Sequence, residues 1–176
     1  APQSNLDKDG RRVMIAWMRM PKPVESKDGI QWTGMMCLPR VVGIKNGQVT
    51  FDVHPNVKEN FEEIDLTKTV LKLKEKQPLW ITTTLSEGEE LEIGGYEIRL
   101  EDGKVVGNRE RVFADMEGYH VENQTPKVGK SAKLDIFVEE NLIEIFVNDG
   151  QYVLSHVVYG LGDTLNGKIQ KVRVLK

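Results

Sequence analysis

Short runs of Val, Ile, Thr and aromatic residues alternate along the chain with glycine-containing dipeptides. Asn46-Gly47 separates residues 41–45 from 48–53, and Gly94-Gly95 separates residues 91–93 from 96–100. Because Asn and Gly tolerate the positive φ of two-residue turns, each pair predicts a β-hairpin. The same pattern predicts further strands at residues 104–106, 134–138, 142–147, 152–158 and 168–175. The chain is therefore predicted to be all-β and antiparallel, as in a sandwich or part of a propeller.

The segment at residues 66–76 carries two competing periodicities. Its leucines and Val70 could share one face of a helix, but apolar residues also alternate with Lys72 and Lys74. The threonines of this segment favour a strand, because β-branched residues pack well on a pleated surface. We predict a strand here.

A domain boundary is predicted after the first third of the chain. His54-Pro55-Asn56 is a turn signal, because proline cannot donate to a strand ladder, and the residues that follow it are mostly polar. The stretch from residue 65 to the end has the size of a two-sheet sandwich. We therefore divide the chain into residues 1–55, a linker at 56–64, and a C-terminal β-sandwich at 65–176.

The charge of the chain argues against some classes of binding partner. The 176 residues carry 24 Lys and Arg against 27 Asp and Glu, a net charge of −3, and the basic residues are scattered. This pattern argues against nucleic acid or an anionic membrane as partner. No apolar run approaches the roughly 20 residues of a membrane helix.

The cysteine and histidine content argues against metal or cofactor chemistry. Cys37 is the single cysteine, so an internal disulfide and a multi-thiolate metal site are excluded, and we predict that it is buried. His54, His120 and His156 have no spacing typical of a metal site or a nucleophile dyad. No cofactor is predicted. One cysteine suits a reducing compartment, so a cytoplasmic location is the expectation.

Four segments resemble glycoside hydrolase family 32, the invertases, sucrose-6-phosphate hydrolases and fructanases. Ala1-Pro2-Gln3 followed by residues 9–18 (DGRRVMIAWM) is similar to the last propeller blade of that family, and residues 31–40 (QWTGMMCLPR) resemble the strand that ends this blade. Residues 134–138 (LDIFV) and 143–150 (IEIFVNDG) resemble a hairpin of the family's C-terminal sandwich. The resemblance implies an antiparallel, jelly-roll-like β-sandwich preceded by strands of a last β-propeller blade.

The resemblance also implies a retaining mechanism, with an aspartate nucleophile and a glutamic acid that protonates the leaving oxygen. A retaining pair needs carboxyl groups about 5–5.5 Å apart, because the nucleophile bonds to the sugar. The family places them in Asn-Asp-Pro-Asn-Gly, Arg-Asp-Pro and Glu-Cys motifs, none of which occurs here. We therefore predict no catalytic residue in this chain. An aromatic residue precedes the alanine equivalent to Ala1 in the family, so we expect the chain to begin inside a longer protein.

Two tryptophans are the candidate substrate-binding residues. Trp17 and Trp32 lie on the predicted blade strands and could stack on a sugar ring, with packing between blades as the alternative. Arg19 stands where the family usually has glycine, and Val41-Val42 where it has glutamate-leucine, so sugar contacts near this blade are expected to differ from the usual ones.

Four other features receive structural interpretations. Arg40 is predicted to bridge to a carboxylate and Trp80 to lie in the core or between sheets. The acidic clusters at residues 87–90 and 139–140 are predicted to be solvated, and the polar loop at residues 115–120 to be an ordinary connection.

The resemblance finally predicts partners. A lone blade exposes strand edges and an apolar face, so residues 1–55 are expected to need the rest of a propeller or a second chain. Sucrose or a fructan would be bound through the longer parent protein, and oligomer contacts are possible. The alternatives are a free-standing carbohydrate-binding module and a purely structural sandwich, although neither has a use for a blade.

Overall fold

The computed structural model describes residues 2–26, 28–113 and 118–176, and within them every paired strand is antiparallel. The strands form three sheets, one from the first 55 residues and two from the remainder. The prediction of an all-β fold with a C-terminal sandwich is confirmed.

The first sheet has the layout of a propeller blade. Its strands are β1 (Pro2–Leu6), β2 (Arg12–Glu25), β3 (Gln31–Met36), β4 (Arg40–Lys45) and β5 (Gln48–Val53). They pair in the order β1-β2-β4-β5, and β3 pairs with the stretch of β2 beyond β4. Asn46 and Gly47 have φ values of 50° and 75°, and Lys45 pairs with Gln48, so the predicted two-residue hairpin is confirmed.

The sandwich consists of a six-stranded and a five-stranded sheet. The first has the order β14-β13-β12-β7-β16-β6 and the second β11-β10-β9-β8-β15. Their strands are β6 (Phe61–Ile64), β7 (Leu79–Ser86), β8 (Glu90–Ile93), β9 (Tyr96–Glu101), β10 (Lys104–Asn108), β11 (Glu122–Gln124), β12 (Ser131–Glu139), β13 (Leu142–Val147), β14 (Tyr152–Val157), β15 (Leu165–Gly167) and β16 (Lys171–Leu175).

The main hydrophobic core lies between these two sheets. Alternate residues of the central strands point inward and are fully buried, as the two-residue period of a strand requires. Members of this core include Leu79, Ile81, Ile98, Leu134, Ile136, Ile143, Ile145 and Val172. Strand β13 is buried on both faces, because its outer side is covered by the blade.

The strand prediction for residues 66–76 is wrong. Leu66–Lys68 is a 3-10 helix that continues into α2 (Thr69–Lys74). Asp65 caps the start by accepting hydrogen bonds from the backbone N–H (2.9 Å) and the hydroxyl (2.7 Å) of Thr67. Only Thr69 and Leu73 of α2 are buried, which is the helical rather than the strand spacing.

The segment predicted as a linker contains ordered structure. Helix α1 (Pro55–Lys58) starts at the proline, where a missing N–H has no cost, and strand β6 follows it. Phe61–Ile64 pairs with the last strand of the chain, so this part of the segment belongs to the sandwich. The division at residues 55 and 65 itself remains a prediction. A second 3-10 helix spans Glu110–Val112.

Candidate functional site

The two candidate sugar-stacking tryptophans lie on the same face of the blade. Trp17 pairs with Met36, and Gly34, two residues earlier on β3, lies between Met36 and Trp32. Alternation along β3 puts these three β3 residues on one side, together with Trp17. The exposed fractions are 51% for Trp17 and 40% for Trp32. The structure therefore brings both residues to one surface.

Trp17 owes its position to the glycine beneath it. The indole lies directly over Gly34, and a methyl group added there would overlap the ring. An aromatic side chain that covers a glycine on the neighbouring strand shields the bare backbone of that glycine from water. The pair Trp17–Gly34 thus explains why this strand tolerates a glycine at its centre.

The same blade face continues into a broad open groove of about 660 Å³. Ile15, two residues before Trp17 on the same side of β2, is exposed and lines the groove. Other lining residues are Gln3, Asn5, Leu6, Val13, Pro39 and Val57. Ile15 links this largely apolar groove to Trp17, and we call the groove together with the two tryptophans the open face of the blade.

A histidine and an aspartate close one end of the open face. Asp7 accepts hydrogen bonds from Nε of Arg11 (2.7 Å) and from Nε2 of His54 (3.0 Å). Nδ1 of His54 accepts the N–H of Asn56, so Nε2 carries the proton that is donated to Asp7. Burial alone would raise the pKa of Asp7, but these hydrogen bonds hold it well below its usual range. Both ring nitrogens of His54 are engaged in fixing the chain.

The opposite face of the blade is docked on the sandwich through a buried ion pair. The carboxylate of Glu144, on β13, is fully buried and accepts from the guanidinium of Arg40 and from the backbone N–H of Leu38 (2.6 Å). Ser155 also donates to it (2.6 Å). The guanidinium lies 5.6 Å from the ring centre of Phe146. The predicted bridging role of Arg40 is confirmed, and its partner is the sandwich.

Two backbone contacts complete this junction between blade and sandwich. The N–H of Phe51 donates to the carbonyl of Gly150 (2.9 Å), and a side chain at Gly150 would overlap the Phe51 carbonyl. Tyr159 accepts from the N–H of Lys22 (3.1 Å) and donates to its carbonyl (2.9 Å). The tyrosine therefore holds the irregular part of β2, where the pairing with β3 shifts register.

Aromatic packing surrounds these polar contacts. Phe137, Phe146 and Val53 form one buried cluster, and Met20 forms another with Phe113 and Val157. Trp80 lies beside the first cluster on the outer side of its sheet, stacked on Phe137 at 5.3 Å. Of the two predicted places, the structure supports packing against a core cluster and not a position between the two sandwich sheets, because Leu79 and Ile81 occupy the inward positions. Cys37 is buried, as predicted.

A second buried polar group links the two sheets of the sandwich. His156 contacts the hydroxyl of Tyr96 through Nδ1 and the amide of Asn123 through Nε2 (2.6 Å). Burial and the nearby charge of Arg109 lower the pKa of His156 to about 4. Gly107 makes room for the pair, because a side chain there would overlap the Tyr96 hydroxyl.

The described residues contain no cluster of three or more metal-ligating side chains. In the same part of the chain, no helix is long and apolar enough to cross a membrane. Asp115 of the predicted loop at residues 115–120 lies outside the described residues, as do Met116 and Glu117. The solvated state predicted for the acidic clusters is confirmed for Glu87, Glu89, Glu90 and Glu140. It is wrong for Glu139, which is partly buried, and this burial raises the pKa of its carboxyl group.

Sequence reasoning missed Glu144, Gly150 and Tyr159 as junction residues. A signal for Glu144 was present, because an acidic residue between Ile143 and Ile145 interrupts an otherwise apolar strand. Nothing local distinguishes Tyr159 or the crowding at Gly150, since both depend on residues more than 90 positions away.

Comparison with known proteins identifies the family of this chain. Residues 48–171 match the family described as "Glycosyl hydrolases family 32 C terminal", and residues 1–55 match its N-terminal domain. The chain belongs to glycoside hydrolase family 32.

Relatives with known names support this assignment. The chain is 31% identical to a sucrose-6-phosphate hydrolase of Escherichia coli over 90% of its own length and 36% of the relative's. It is 26% identical to one from Vibrio alginolyticus, over 88% of this chain and 33% of that protein. The chain thus spans about a third of the length of the curated relatives that it matches.

Solved structures show the same fold. A sucrose-6-phosphate hydrolase from Lactobacillus gasseri superposes with a TM-score of 0.72 at 18% identity, covering 98% of this chain and 39% of that one. A family 32 beta-fructofuranosidase from Bombyx mori gives a TM-score of 0.63 at 18% identity, covering 99% and 39%.

Proposed function

We propose that this chain is the C-terminal part of a retaining β-fructofuranosidase-type glycoside hydrolase that acts on sucrose, sucrose 6-phosphate or a fructan. In that enzyme it supplies the last propeller blade and a sandwich that braces it, and the catalytic carboxylates lie in the preceding part of the protein. We propose a cytoplasmic location on the strength of the single cysteine.

The observation that carries the proposal is the open face of the blade. Ile15, Trp17, Trp32 and Met36 are all well exposed on one side of the sheet, next to the 660 Å³ groove. Large contiguous apolar patches on soluble proteins usually mark an interaction surface. A neighbouring blade is a sheet that would bury these side chains and the free edge of β1 together.

The junction supports the bracing role of the sandwich. Glu144 and Gly150 contact the blade on the side opposite the open face, and Tyr159 fixes Lys22. These contacts join residues that are 99 to 137 positions apart. The sandwich would therefore hold the last blade in place while its open face meets the rest of the propeller.

The names of the relatives support the substrate class. The Escherichia coli and Vibrio alginolyticus proteins are sucrose-6-phosphate hydrolases, and a 28% identical relative from a Bacillus species is a levanase. Both activities cleave a fructosyl bond, and the choice between them would depend on residues outside this chain.

The main alternative is a non-catalytic sandwich that binds carbohydrate or forms oligomers. Sugar-binding sandwiches need an exposed aromatic ring, and Trp80, the tryptophan of the sandwich, is covered. One side of its indole stacks on Phe137, and the guanidinium of Arg173 lies 4.1 Å from its ring centre. This arrangement favours the enzyme fragment.

An assay of fructose release tests the proposal. The 176-residue chain should release no fructose from sucrose, sucrose 6-phosphate or levan, whereas a protein extended by the residues encoded before Ala1 should be active. The matched control is the extension without this chain, which should be unstable and inactive. Activity of the 176 residues alone, or an inactive extended protein, would refute the proposal, and calorimetric binding of sugar to the isolated chain would favour the alternative.

Trp17 and Trp32 remain candidate substrate contacts. Enzyme kinetics distinguishes a role in substrate binding from a role in packing between blades. In the extended enzyme, Trp32→Ala should raise KM for the sugar with little change in melting temperature if the indole stacks on substrate. A fall in melting temperature at unchanged KM would assign the residue to blade packing instead. Trp80→Phe is a control for the general loss of an indole.

A further inference from the structure

Two Asn-Gly pairs in the chain have different environments. Asn46-Gly47 forms the tip of the β4–β5 hairpin, and Asn166-Gly167 lies in strand β15. The side-chain amide of an asparagine before glycine can be attacked by the next backbone nitrogen, because glycine has no side chain to hinder the approach. Asparagine is accordingly one of the thermolabile residues of proteins.

The environment of Asn46 permits this reaction. Residues 44–49 are all exposed, and Ile44 at the tip is 80% exposed. At the hairpin tip a side-chain hydrogen bond joins Gln151 to Gln48 (3.5 Å), and among the described residues none involves the side chain of Asn46. A side chain at Gly47 would meet open space. Opening the tip of the hairpin therefore exposes little buried surface, so local opening costs little free energy.

The environment of Asn166 opposes the same reaction. Its amide nitrogen donates to Oε2 of Glu92 (2.6 Å), and its backbone pairs with Glu92 in the sheet. Gly167 is packed tightly, because an added Cβ would lie 2.6 Å from the carbonyl oxygen of Glu90. Reaching the attack geometry would break this hydrogen bond and move a paired strand.

We propose that Asn46 is a site of spontaneous deamidation and that Asn166, with the same dipeptide sequence, is protected by the fold. The backbone nitrogen of Gly47 bonds to Cγ of Asn46, the amide C–N bond breaks and ammonia leaves, giving a cyclic imide. Water then opens the imide on either side, giving aspartate or isoaspartate and one new carboxylate. Water is the only co-reactant.

The isoaspartate product would disturb the blade. Its main chain runs through Cβ, which adds one atom to a two-residue turn whose geometry fixes the register of β4 and β5. β5 carries Phe51, whose N–H bonds to Gly150 at the junction with the sandwich. Modification of the tip therefore weakens one of the contacts that hold the blade.

Peptide mapping by mass spectrometry tests the inference. The chain is incubated under mildly alkaline, warm conditions, in the folded state and in denaturant, and the conversion of amide to acid is followed at both sites. In the folded chain we expect several-fold faster conversion at Asn46 than at Asn166. In denaturant the two rates should become similar, because both are Asn-Gly.

Two variants make the result decisive. Asn46→Gly keeps the positive φ of the turn and should abolish the faster conversion. Glu92→Ala removes the partner of Asn166 and should accelerate conversion there without affecting Asn46. Equal rates at the two sites in the folded chain, or faster conversion at Asn166, would overturn the proposal.

Discussion

Replacing Glu144 by glutamine should weaken the whole chain by an amount set by the buried ion pair at the junction. The side chain of Glu144 has no exposed surface and that of Arg40 is 12% exposed, so water has little access to either partner. The substitution keeps the shape of the side chain but leaves the guanidinium buried without a counter-charge. Breaking a buried pair in this way costs about 3–5 kcal/mol.

The structure indicates how this cost divides. Glu144 accepts from Leu38, Arg40 and Ser155, and a glutamine oxygen can replace only part of that acceptance. Arg40 and Ser155 both donate to Oε1 and Leu38 donates to Oε2, so a glutamine oxygen in the Oε1 position loses the hydrogen bond from Leu38. That loss accounts for about 1.5–3 kcal/mol, and the uncompensated charge of Arg40 accounts for the rest. For a chain of this size the change corresponds to a fall in melting temperature of roughly 6–20 °C.

Urea denaturation followed by tryptophan fluorescence measures the effect. Glu140→Gln is the matched control, because this neighbouring carboxylate pairs with Lys76 on the surface and should cost less than about 1 kcal/mol. The double variant Arg40→Met/Glu144→Met should recover most of the loss, since a well-packed apolar pair often replaces a buried ion pair without penalty. A Glu144→Gln protein within 1 kcal/mol of the parent would refute the reasoning.

Three further outcomes are expected. The folded state holds His156 neutral, with its pKa lowered from 6.5 to about 4, so stability is full above pH 6.5 and falls by about 3 kcal/mol as the pH drops from 6.5 towards 4. His156→Gln should flatten this slope in pH-dependent urea melts, and an unchanged slope would contradict the assignment. Gly150→Ala should cost at least about 2 kcal/mol by calorimetry, because it adds a clash with Phe51 to the strain of a positive φ of 84°. Gly160→Ala, at a φ of 67° in open space, should show the strain alone, and equal losses at the two sites would contradict the close contact. Gly34→Ala should displace the Trp17 indole and shift the tryptophan emission to the red, whereas Gly43→Ala should leave the emission unchanged.

The strand predicted at residues 66–76 is wrong, and the side on which Trp80 lies was left open, because local periodicity is ambiguous at both places. Residues 66–76 satisfy both helix and strand periodicity. Although β6, just before this segment, is the edge strand of its sheet, the segment pairs with no strand. The segment therefore satisfies its own backbone as a helix, started by the Asp65 cap. The choice between the two predicted places of Trp80 stayed open because both neighbouring positions on β7 are apolar, and alternation alone does not say which side faces the other sheet.

The sequence by itself determined most of the strands, the hairpin turns and the resemblance to the family. These depend on local chemistry: alternation of apolar residues, glycine and asparagine at positive φ, and short motifs whose order is read along the chain. Only the tertiary structure decided which polar residues join the blade to the sandwich and the two sandwich sheets to each other. Tyr159 and His156 look like ordinary turn and strand residues, and the acidic residue in the apolar strand β13 does not name its own partners. The fold brings Glu144, Tyr159 and His156 to Leu38, Lys22 and Tyr96, and the cost of burying a polar group depends on such distant partners.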